Sequence, residues 1–412
     1  MRNQRGGGNM QDELDKIFES FDKNAVFKDK NLLQTNYTPE VILHRDEQIK
    51  QIASILAPTL RGEKTSNLFL YGKTGTGKTL SIKYVRDALY KRFNKNSPFS
   101  LRIEYLNCKL KKVSDTEYRI LAELINQLGG EVPSTGLPTQ AVYSKFIDLV
   151  DSKKQLVVLI LDEVDQTAKK LSNNFLYNLT RLNSELSKSK ISIVGISNDL
   201  TFLEDLDPRV RSSLSEEEIV FPPYNAIQIQ DILNKRAENA FKAGILEGGV
   251  IPKCAAYAAR EHGDARRALD LLRVAGELAE RESSKKIMLK HIDEANSKIE
   301  RDKILDVVQS EPKQFQYVLY SIIHLSENSK DKSFFTGDVY NFYQDLCLKN
   351  KLETLTQRRV GDIIQEFDML GIINVRVISK GRGGRMREIR LAISRDILKK
   401  VKEIVQDAIN YN

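Results

Sequence analysis

The stretch that decides the fold is LFLYGKTGTGKT, residues 68–79, in which a short apolar run leads directly into a glycine-rich loop. Residues 72–79 have the spacing of a phosphate-binding loop. The apolar run before them and the helical pattern after them supply the strand and the helix that such a loop needs. Glycine lets consecutive backbone N–H groups turn inward on a phosphate, and a helix N-terminus adds partial positive charge. The stretch therefore predicts a nucleotide site at the end of a strand in an α/β domain.

Side chains of this loop have separate expected roles. Lys78 would reach the β and γ phosphates of ATP, and the hydroxyl of Thr79 would be a ligand of Mg²⁺. The other nucleotide-binding positions are Gly75, Thr76, Gly77 and Leu80. ATP or ADP with Mg²⁺ is therefore the expected ligand.

Acidic residues follow a second apolar run in LVVLILDEVD, residues 156–165. Six consecutive apolar residues predict a strand buried on both faces, and open α/β sheets bind ligands at the carboxyl ends of their strands. Asp162 is expected to hold Mg²⁺, directly or through water, and Glu163 to polarise the attacking water. Together with the phosphate loop, this motif predicts ATP hydrolysis.

Two further groups follow a third strand-like run at residues 191–196. The neutral amide of Asn198 can donate to a γ phosphate or orient water. Arg209 and Arg211 lie at a predicted turn and helix start after Asp207-Pro208. Either arginine could act as an arginine finger on a neighbouring subunit, and the alternative is that both are ordinary surface residues.

Length and composition restrict the class of protein. At about 150 residues per domain, 412 residues predict two or three domains. The longest aliphatic run, residues 156–161, is far shorter than the roughly 20 residues of a membrane span, and the polar N-terminus lacks a secretory signal. Cys108, Cys254 and Cys347 are odd in number and widely spaced, which supports neither a disulfide framework nor a zinc cluster. A cytoplasmic protein without a membrane partner is expected.

The first half of the chain divides into an arm and an α/β domain. Residues 1–37 are charged with scattered aromatics and form the predicted N-terminal arm. Thr38-Pro39-Glu40 opens a helical pattern. Residues 38–220 then alternate short apolar runs with helical stretches, which is typical of a parallel sheet with crossover helices.

The second half predicts two smaller domains. The prolines of Phe221-Pro222-Pro223-Tyr224 break the chain, and residues 221–300 have only helical periodicity. Residues 301–412 contain three helical patterns followed by two β-like runs joined by a glycine-rich loop, which is the outline of a winged helix.

Positive charge is concentrated at this glycine-rich loop. The chain has a net charge of +8, and residues 376–390 carry six basic side chains against a single acid, Glu388. An arginine-bearing hairpin tip can enter a narrow minor groove or follow phosphates, and the helix before it begins with polar and basic residues suited to base edges. The predicted DNA-binding residues are Gln357, Arg358, Arg359, Lys380, Arg382 and Arg385. The alternatives are a solvated charged surface and a winged helix that binds protein.

The order of these features resembles an AAA+ ATPase. More narrowly, residues 31–394 resemble the archaeal origin-recognition initiators, relatives of the eukaryotic origin recognition complex and of its cell division control loading factor. The narrower resemblance rests on four stretches and the C-terminal winged helix; the stretches are YTP (37–39) with HRDE (44–47), FPPY (221–224) and GDAR (263–266).

This resemblance implies an AAA+ P-loop parallel-sheet domain, an α-helical lid and a C-terminal winged helix. It places residues 37–45 beside the adenine and Tyr224 near the nucleotide. Arg236 and Arg266 would reach from the lid to the phosphates, Arg266 as the family's second sensor. It also implies a DNA contact at residues 131–138, which sequence alone predicts to be a turn. In the eukaryotic relatives the functional arginine falls at the position that is Ser213 here, which leaves the assignment of Arg209 or Arg211 as the finger open.

The expected function is ATP-dependent initiation of DNA replication, with slow, regulatory hydrolysis. The expected partners are double-stranded origin DNA, a replicative helicase and a paralogous initiator, in a nucleoid-associated protein. One alternative is a ring-forming AAA+ motor or clamp-loader-like remodeller. The other is a nucleotide-gated transcription regulator.

Overall fold

A computed structural model of the chain divides it by its contacts into two compact units, Met1–Ile292 and Asp293–Asn412. The helix Leu289–Ser310 crosses this division. The structure describes residues 14, 15, 18, 25–35, 37–94, 96–109, 116–133, 135–166, 173–204, 206–214, 216–328, 333–379 and 385–410.

The first unit is built on a five-stranded parallel sheet with strand order β2-β3-β4-β1-β5. The strands are β1 (Leu68–Tyr71), β2 (Ser100–Asn107), β3 (Gln155–Asp162), β4 (Lys190–Ser197) and β5 (Glu217–Val220). Because all five run in the same direction, their carboxyl ends meet at one edge, which is where ligands bind in such sheets. The predicted parallel sheet is confirmed.

Helices cover both faces of this sheet. They are α1 (Asp46–Leu56), α2 (Lys78–Arg92), α3 (Glu117–Gln127), α4 (Thr139–Val150), α5 (Asn173–Arg181) and α6 (Pro208–Leu214), with 3₁₀ turns at Lys30–Leu33, Ala57–Arg61 and Leu182–Ser184. β3 is buried along its whole length, as its apolar run predicts. Val157, Leu159 and Leu161 pack with α3 to α6, while Val158 and Ile160 pack with α1 and α2. We call this α/β part the base.

The prediction of a helix opening at Thr38-Pro39-Glu40 is wrong. α1 begins at Asp46, and residues 38–45 are irregular, with a φ of 59° at His44. Ile42 fits the spacing of a helix and is buried, as an apolar residue on the inner face of a helix would be. It lies, however, in an irregular segment. Tertiary packing, rather than helical periodicity, explains its apolar character.

A helical subdomain, which we call the lid, follows β5. It comprises α7 (Ala226–Ala240), α8 (Val250–Arg260), α9 (Ala265–Arg281) and the first residues of α10 (Leu289–Ser310). Asn225 and Gln228 form a capping box at the start of α7, and Asp264 caps α9. These caps satisfy N–H groups that a helix leaves unpaired at its start, and they fix the first residue of each helix.

The second unit is a winged helix. Its elements are α11 (Lys313–Asn328), β6 (Phe334–Phe335), α12 (Thr336–Lys349), α13 (Gln357–Met369), β7 (Ile373–Ser379), β8 (Arg385–Leu391) and α14 (Arg395–Asn410), with an antiparallel sheet of order β6-β8-β7. Tyr317, Tyr343 and Phe367 are buried in its core. The predicted three helices and hairpin are confirmed. β6 has two residues, too few to show an alternating pattern in the sequence, and α14 was not predicted.

Among the described residues, no helix is long and apolar enough to span a bilayer.

Candidate functional site

A cavity of about 380 Å³ lies at the carboxyl edge of the sheet, between the base and the lid. Its walls are the phosphate loop, the ends of β2 and β3, the irregular segment before α1, and residues of α7 and α9. It is lined by all of the predicted nucleotide and metal residues: Gly75, Thr76, Gly77, Lys78, Thr79, Leu80, Asp162, Glu163, Asn198, Tyr224, Arg236 and Arg266. The fold thus brings together groups that are far apart in the chain.

Lys78 is buried at the start of α2, beside the phosphate loop. Its Nζ donates to the carbonyl oxygens of Gly72 (2.6 Å) and Lys73 (2.8 Å) and to Oδ1 of Asn198 (2.9 Å). Burial lowers the pKa of Lys78 to about 8, although the negative charge of Asp162 opposes this shift. The amine therefore remains mostly protonated at pH 7, and a phosphate group would meet a positive charge that is poorly solvated.

Asp162 and Thr79 meet at the end of β3. Oγ1 of Thr79 and the phenol of Tyr105 both donate to Oδ2 of Asp162, each at 2.7 Å. The other carboxylate oxygen accepts the N–H of Glu163 at 3.0 Å. Burial, and then the charge of Asp162, raises the pKa of Tyr105 well above its usual value, so the phenol keeps its proton and remains a donor. A hydroxyl and an oriented carboxylate are the hard oxygen ligands that suit Mg²⁺.

Glu163 has an unusual backbone. Its φ is 56°, in the left-handed region that few residues other than glycine adopt, and such conformations recur at functional sites. Its side chain is 21% exposed, and Oε2 lies 3.6 Å from Nζ of Lys109. The carboxylate therefore lines the cavity and stays accessible to water.

The lid contacts the phosphate loop at the start of α9. Oδ1 of Asp264 accepts the N–H groups of Arg266 (2.8 Å) and Arg267 (3.4 Å). It lies so close to Gly75 that a Cβ built on that glycine would be 1.7 Å from it, and Gly75 also has a φ of 72°. Only glycine fits here, and Arg266, the second residue after the Asp264 cap, lies on the wall of the cavity.

Arg45 is a buried residue at the end of the segment that the family resemblance places beside the adenine, and no role of its own was predicted for it. Its side chain donates to the carbonyl oxygen of Thr76 in the phosphate loop, and its guanidinium carbon lies 3.8 Å from the ring centroid of Tyr224. The Tyr224 hydroxyl in turn lies 2.9 Å from a Cβ built on Gly77. Tyr224 therefore lies against the phosphate loop, with Arg45 stacked upon it.

Arg236 lines the cavity but is held by the segment that precedes α1. It donates to the carbonyl oxygens of Leu32 (3.1 Å) and Tyr37 (3.5 Å), and its guanidinium carbon lies 4.5 Å from the Tyr37 ring centroid. The family resemblance implies a contact with the phosphates. In this structure the guanidinium instead contacts the segment expected beside the adenine.

The candidate arginine fingers lie on the surface of α6. The Arg209 side chain is 72% exposed, pairs with Asp207 at 2.9 Å and lies 5.3 Å from the Tyr177 ring centroid. Arg211 is exposed and Ser213 is half-buried. The cavity wall of the chain's own nucleotide site does not include these three residues.

The predicted recognition helix of the winged-helix unit is α13. Thr356 caps it by accepting the N–H of Arg359 at 3.4 Å. Gln357, Arg358 and Arg359 are exposed, whereas Val360 is buried in the core. The start of α13 therefore presents polar and basic side chains while its following residues anchor it.

The wing is the hairpin of β7 and β8. Arg376 and Arg387 are exposed on its two strands. Lys380 and Arg382, at its predicted tip, lie outside the described residues, as does the side chain of Arg385. The hairpin itself is where the sequence predicts it.

The bend at residues 131–138 joins α3 to α4, with Ser134 outside the described residues. The carbonyl oxygens of Glu131 and Pro133 accept hydrogen bonds from Lys145 and Tyr118, both at 2.6 Å. The bend is thus fixed to the helices that flank it.

Family models match three parts of the chain. An AAA domain model matches residues 61–200, a Cdc6 AAA+ ATPase-type lid domain model matches residues 230–297, and a CDC6 C-terminal winged helix domain model matches residues 306–401. The ORC1-type DNA replication protein of Pyrococcus furiosus is 52% identical over 392 residues, which cover 94% of this chain and 92% of that protein. The chain belongs to the ORC1-type DNA replication proteins.

Other ORC1-type proteins agree with this assignment. The ORC1-type DNA replication protein 1 of Methanosarcina mazei is 49% identical over 390 residues, covering 94% of this chain and 93% of that one. The structure of Aeropyrum pernix ORC1 in complex with DNA is 41% identical, with a TM-score of 0.82, and covers 94% of this chain and 98% of that chain. Cdc6p from Pyrobaculum aerophilum, 21% identical with a TM-score of 0.58, shares the fold.

These matches confirm the predicted family and fold class. As an AAA+ member of the ORC1-type proteins, the chain is a nucleotide-binding ATPase of DNA replication initiation. Tyr105 was not predicted as a site residue, and for Arg45 the resemblance gave only a place beside the adenine, without its contacts to the phosphate loop and Tyr224. Arg45 follows His44 in the HRDE stretch, and Tyr105 lies two residues before the end of a strand, so neither has a spacing signal of its own.

Proposed function

We propose that this ORC1-type protein binds ATP with Mg²⁺ in the cavity between base and lid and uses slow hydrolysis as a switch, while it binds duplex origin DNA. The observation that carries the proposal is the convergence of Lys78, the Thr79–Asp162 pair and the lid residue Arg266 on one cavity. A phosphate loop closed by a lid of the same chain is suited to report which nucleotide is bound.

Several residues of the cavity would each have a separate role in ATP hydrolysis. Lys78 would exchange its carbonyl partners for phosphate oxygens, which would release the side chain of Asn198 to orient water. Glu163 would polarise the attacking water, and Arg266 would supply a permanent cation for the γ phosphate. Thr79 and Asp162 would hold Mg²⁺, which when bound would neutralise charge on the β and γ phosphates.

Tyr105→Phe is expected to weaken the Mg²⁺ site while leaving the fold intact. The phenol orients Asp162, and the loss of a group that orients a metal ligand typically lowers metal affinity about tenfold or more. The Mg²⁺ concentration at half-maximal ATPase activity should therefore rise about tenfold. Nucleotide affinity measured in EDTA should stay close to that of the parent.

The matched control is Tyr90→Phe, on α2. It removes a phenol that contacts the backbone of Ile103 and is outside the cavity wall. Equal Mg²⁺ dependence in the parent and Tyr105→Phe would exclude a role of the phenol at the metal site.

DNA binding is assigned to the start of α13 and to the wing. The exposed side chains of Gln357, Arg358 and Arg359 have donors for base edges and phosphates, and Arg376 and Arg387 extend this chemistry along the hairpin. Lys380, Arg382 and Arg385 complete the proposed surface. The bend at residues 131–138 would add a second contact through backbone N–H groups and hydroxyls, because its composition is not basic.

Arg358→Ala and Arg387→Ala are each expected to weaken binding to duplex DNA by about 3- to 10-fold, since each removes one cationic contact. The slope of log affinity against log salt concentration should become shallower by about one for each lost phosphate contact. Fluorescence anisotropy across a salt series measures both quantities. Lys399→Ala, the same change of charge on an exposed position of α14, should leave them unaltered. A uniform response of all three variants would refute the proposed surface.

Recruitment of a replicative helicase and pairing with a paralogous initiator belong to the same proposal and are supported by membership in the family. Genome-wide mapping of bound sites, followed by footprinting with ATP and with ADP, tests the function as a whole. Binding concentrated at replication origins, with a footprint that depends on the nucleotide, is the expected result. Binding at promoters alone would favour a transcription regulator.

A further inference from the structure

The lid is attached to the base through two separate segments of the chain. One is residues 221–225, which run from β5 into α7. The other is residues 38–45, because the chain that precedes them packs on the lid before it enters the base at α1. The sequence order, with the N-terminal segment far from the lid helices, hides this second connection.

Hydrogen bonds fix the N-terminal segment to the lid. The N–H of Val26 donates to the buried carboxylate of Glu280 on α9 at 2.9 Å. The N–H groups of Lys28 and Asp29 donate to the carbonyl oxygen of Ala240, at 2.8 and 3.1 Å. Residues 26–29 are therefore bound to the lid by their backbone.

Close packing reinforces this attachment. The ring of Phe27 stacks on Phe241 with centroids 5.0 Å apart, and it lies so close to Gly276 that a Cβ there would be 2.4 Å from Cζ. Arg236, on α7, then holds the carbonyl oxygens of Leu32 and Tyr37. Residues 26–35 and Tyr37 therefore form part of the lid, and the described chain then enters the base at α1.

Arg45 lies where both connections meet the phosphate loop. Its Nε donates to the carbonyl oxygen of Thr76 at 2.8 Å, Nη1 to that of His44 at 3.0 Å, and Nη2 to that of Pro222 at 2.6 Å. The residue is 2% exposed, and its guanidinium stacks on Tyr224. One rigid planar cation thus holds the loop and both connections at once.

The contact with Thr76 has a direct consequence for phosphate binding. A peptide unit is planar and trans, so the carbonyl oxygen of Thr76 and the N–H of Gly77 point in opposite directions. Because Arg45 holds that oxygen from outside the loop, the N–H of Gly77 turns toward the inside, where a phosphate would accept it. A change in the orientation of this peptide would move Arg45, and with it the bond to Pro222.

We propose that Arg45 is a positioning residue that orients the phosphate loop and transmits the nucleotide state to the lid through both connections. The proposal rests on ATP binding in the cavity. A lysine at this position would keep the charge, but it cannot present the planar fork that joins three carbonyl oxygens and stacks on a ring.

Lid movement can be measured with two labels. The native cysteines Cys108, Cys254 and Cys347 are buried, so cysteines placed at the exposed positions Ala88 on α2 and Asn239 on α7 can be spin-labelled selectively. The distance between the labels is then measured with ATP, with ADP and without nucleotide, each at saturation. Binding constants for both nucleotides are measured on the same proteins.

We expect the labelled parent to give different distances with ATP and with ADP. Arg45→Lys should bind both nucleotides about tenfold more weakly and, at saturation, give one distance for both, because the loop no longer reports to the lid. Arg102→Lys is the matched control. Arg102 also donates to a main-chain carbonyl, that of Gln127 at 2.6 Å, but neither Gln127 nor its other partner Glu104 belongs to the phosphate loop or to a connection, so this variant should keep the parent's response.

Thermal unfolding shows whether a variant has lost its folded structure or only the coupling between the bound nucleotide and the lid. Arg45→Ala is the severe variant, and if it fails to fold, the conservative Arg45→Lys still decides the question. If Arg45→Lys showed the same difference between its ATP and ADP label distances as the labelled parent, the proposal would be overturned. A parent that binds ATP without any change in distance would overturn the coupling alone, whereas a parent that binds no ATP would refute the proposed nucleotide site as well.

Discussion

Lys78→Ala is expected to reduce ATP and ADP affinity by about 100-fold or more, because a poorly solvated amine can no longer meet the phosphates. The side chain is buried and its Nζ already lies among oxygen acceptors at 2.6 to 2.9 Å. A phosphate would therefore gain a charge-assisted hydrogen bond in a site that excludes much of the water. Isothermal titration with Mg²⁺ present measures the loss.

The control for this change is Lys91→Ala. Lys91 is exposed near the end of the same helix, so the variant alters the net charge equally without touching the cavity. Its nucleotide affinity should equal that of the parent. Nucleotide binding by Lys78→Ala within threefold of the parent would mean that the phosphates bind elsewhere.

Glu163→Gln is expected to bind ATP normally and to hydrolyse it at least about 100-fold more slowly. An amide has nearly the same shape as a carboxylate but cannot accept a proton from water, and general-base catalysis typically contributes 10²- to 10⁴-fold. Asp162 should stay in place, since its contact with residue 163 is to the main-chain N–H. Single-turnover hydrolysis and titration with ATP separate the two effects.

Glu185→Gln, at an exposed position of the base, is the matched control and should keep the parent's rate. The strained backbone at Glu163 makes a stability measurement necessary. Equal unfolding temperatures of the parent and Glu163→Gln would show that the loss of turnover is chemical. Undiminished hydrolysis in Glu163→Gln would assign the general base to another group.

Motifs of neighbouring residues accounted for most of the cavity. The phosphate loop and Asp162-Glu163 were predicted because a strand, a turn and a helix start are encoded within about ten consecutive residues. The wing was predicted for the same reason, from two β-like runs and a glycine-rich loop. Here local chemistry and tertiary structure agree, so the pattern alone was sufficient.

Such patterns could not predict contacts between segments that are distant in the chain. The irregular course of residues 38–45 is set by burial of Ile42 and Arg45, whereas periodicity favoured a helix. Tyr105 became part of the site only because β2 and β3 pair with their carboxyl ends together. Arg236 contacts Tyr37, a residue that lies 199 positions earlier in the chain.

The features that the sequence predicts depend on residues that are close together in the chain, and the features that it does not predict depend on contacts between distant residues. Glycine-rich turns, apolar runs and helical periodicity depend on neighbours in the chain, and they were sufficient for the α/β class, the nucleotide loop, the helical domain that follows and the winged helix. Arg45 contacts Thr76 and Pro222, which are 31 and 177 residues away. Only the packing of the base against the lid brings those carbonyl oxygens within reach of one guanidinium, and so only the tertiary structure identifies the residue that joins the phosphate loop to the lid.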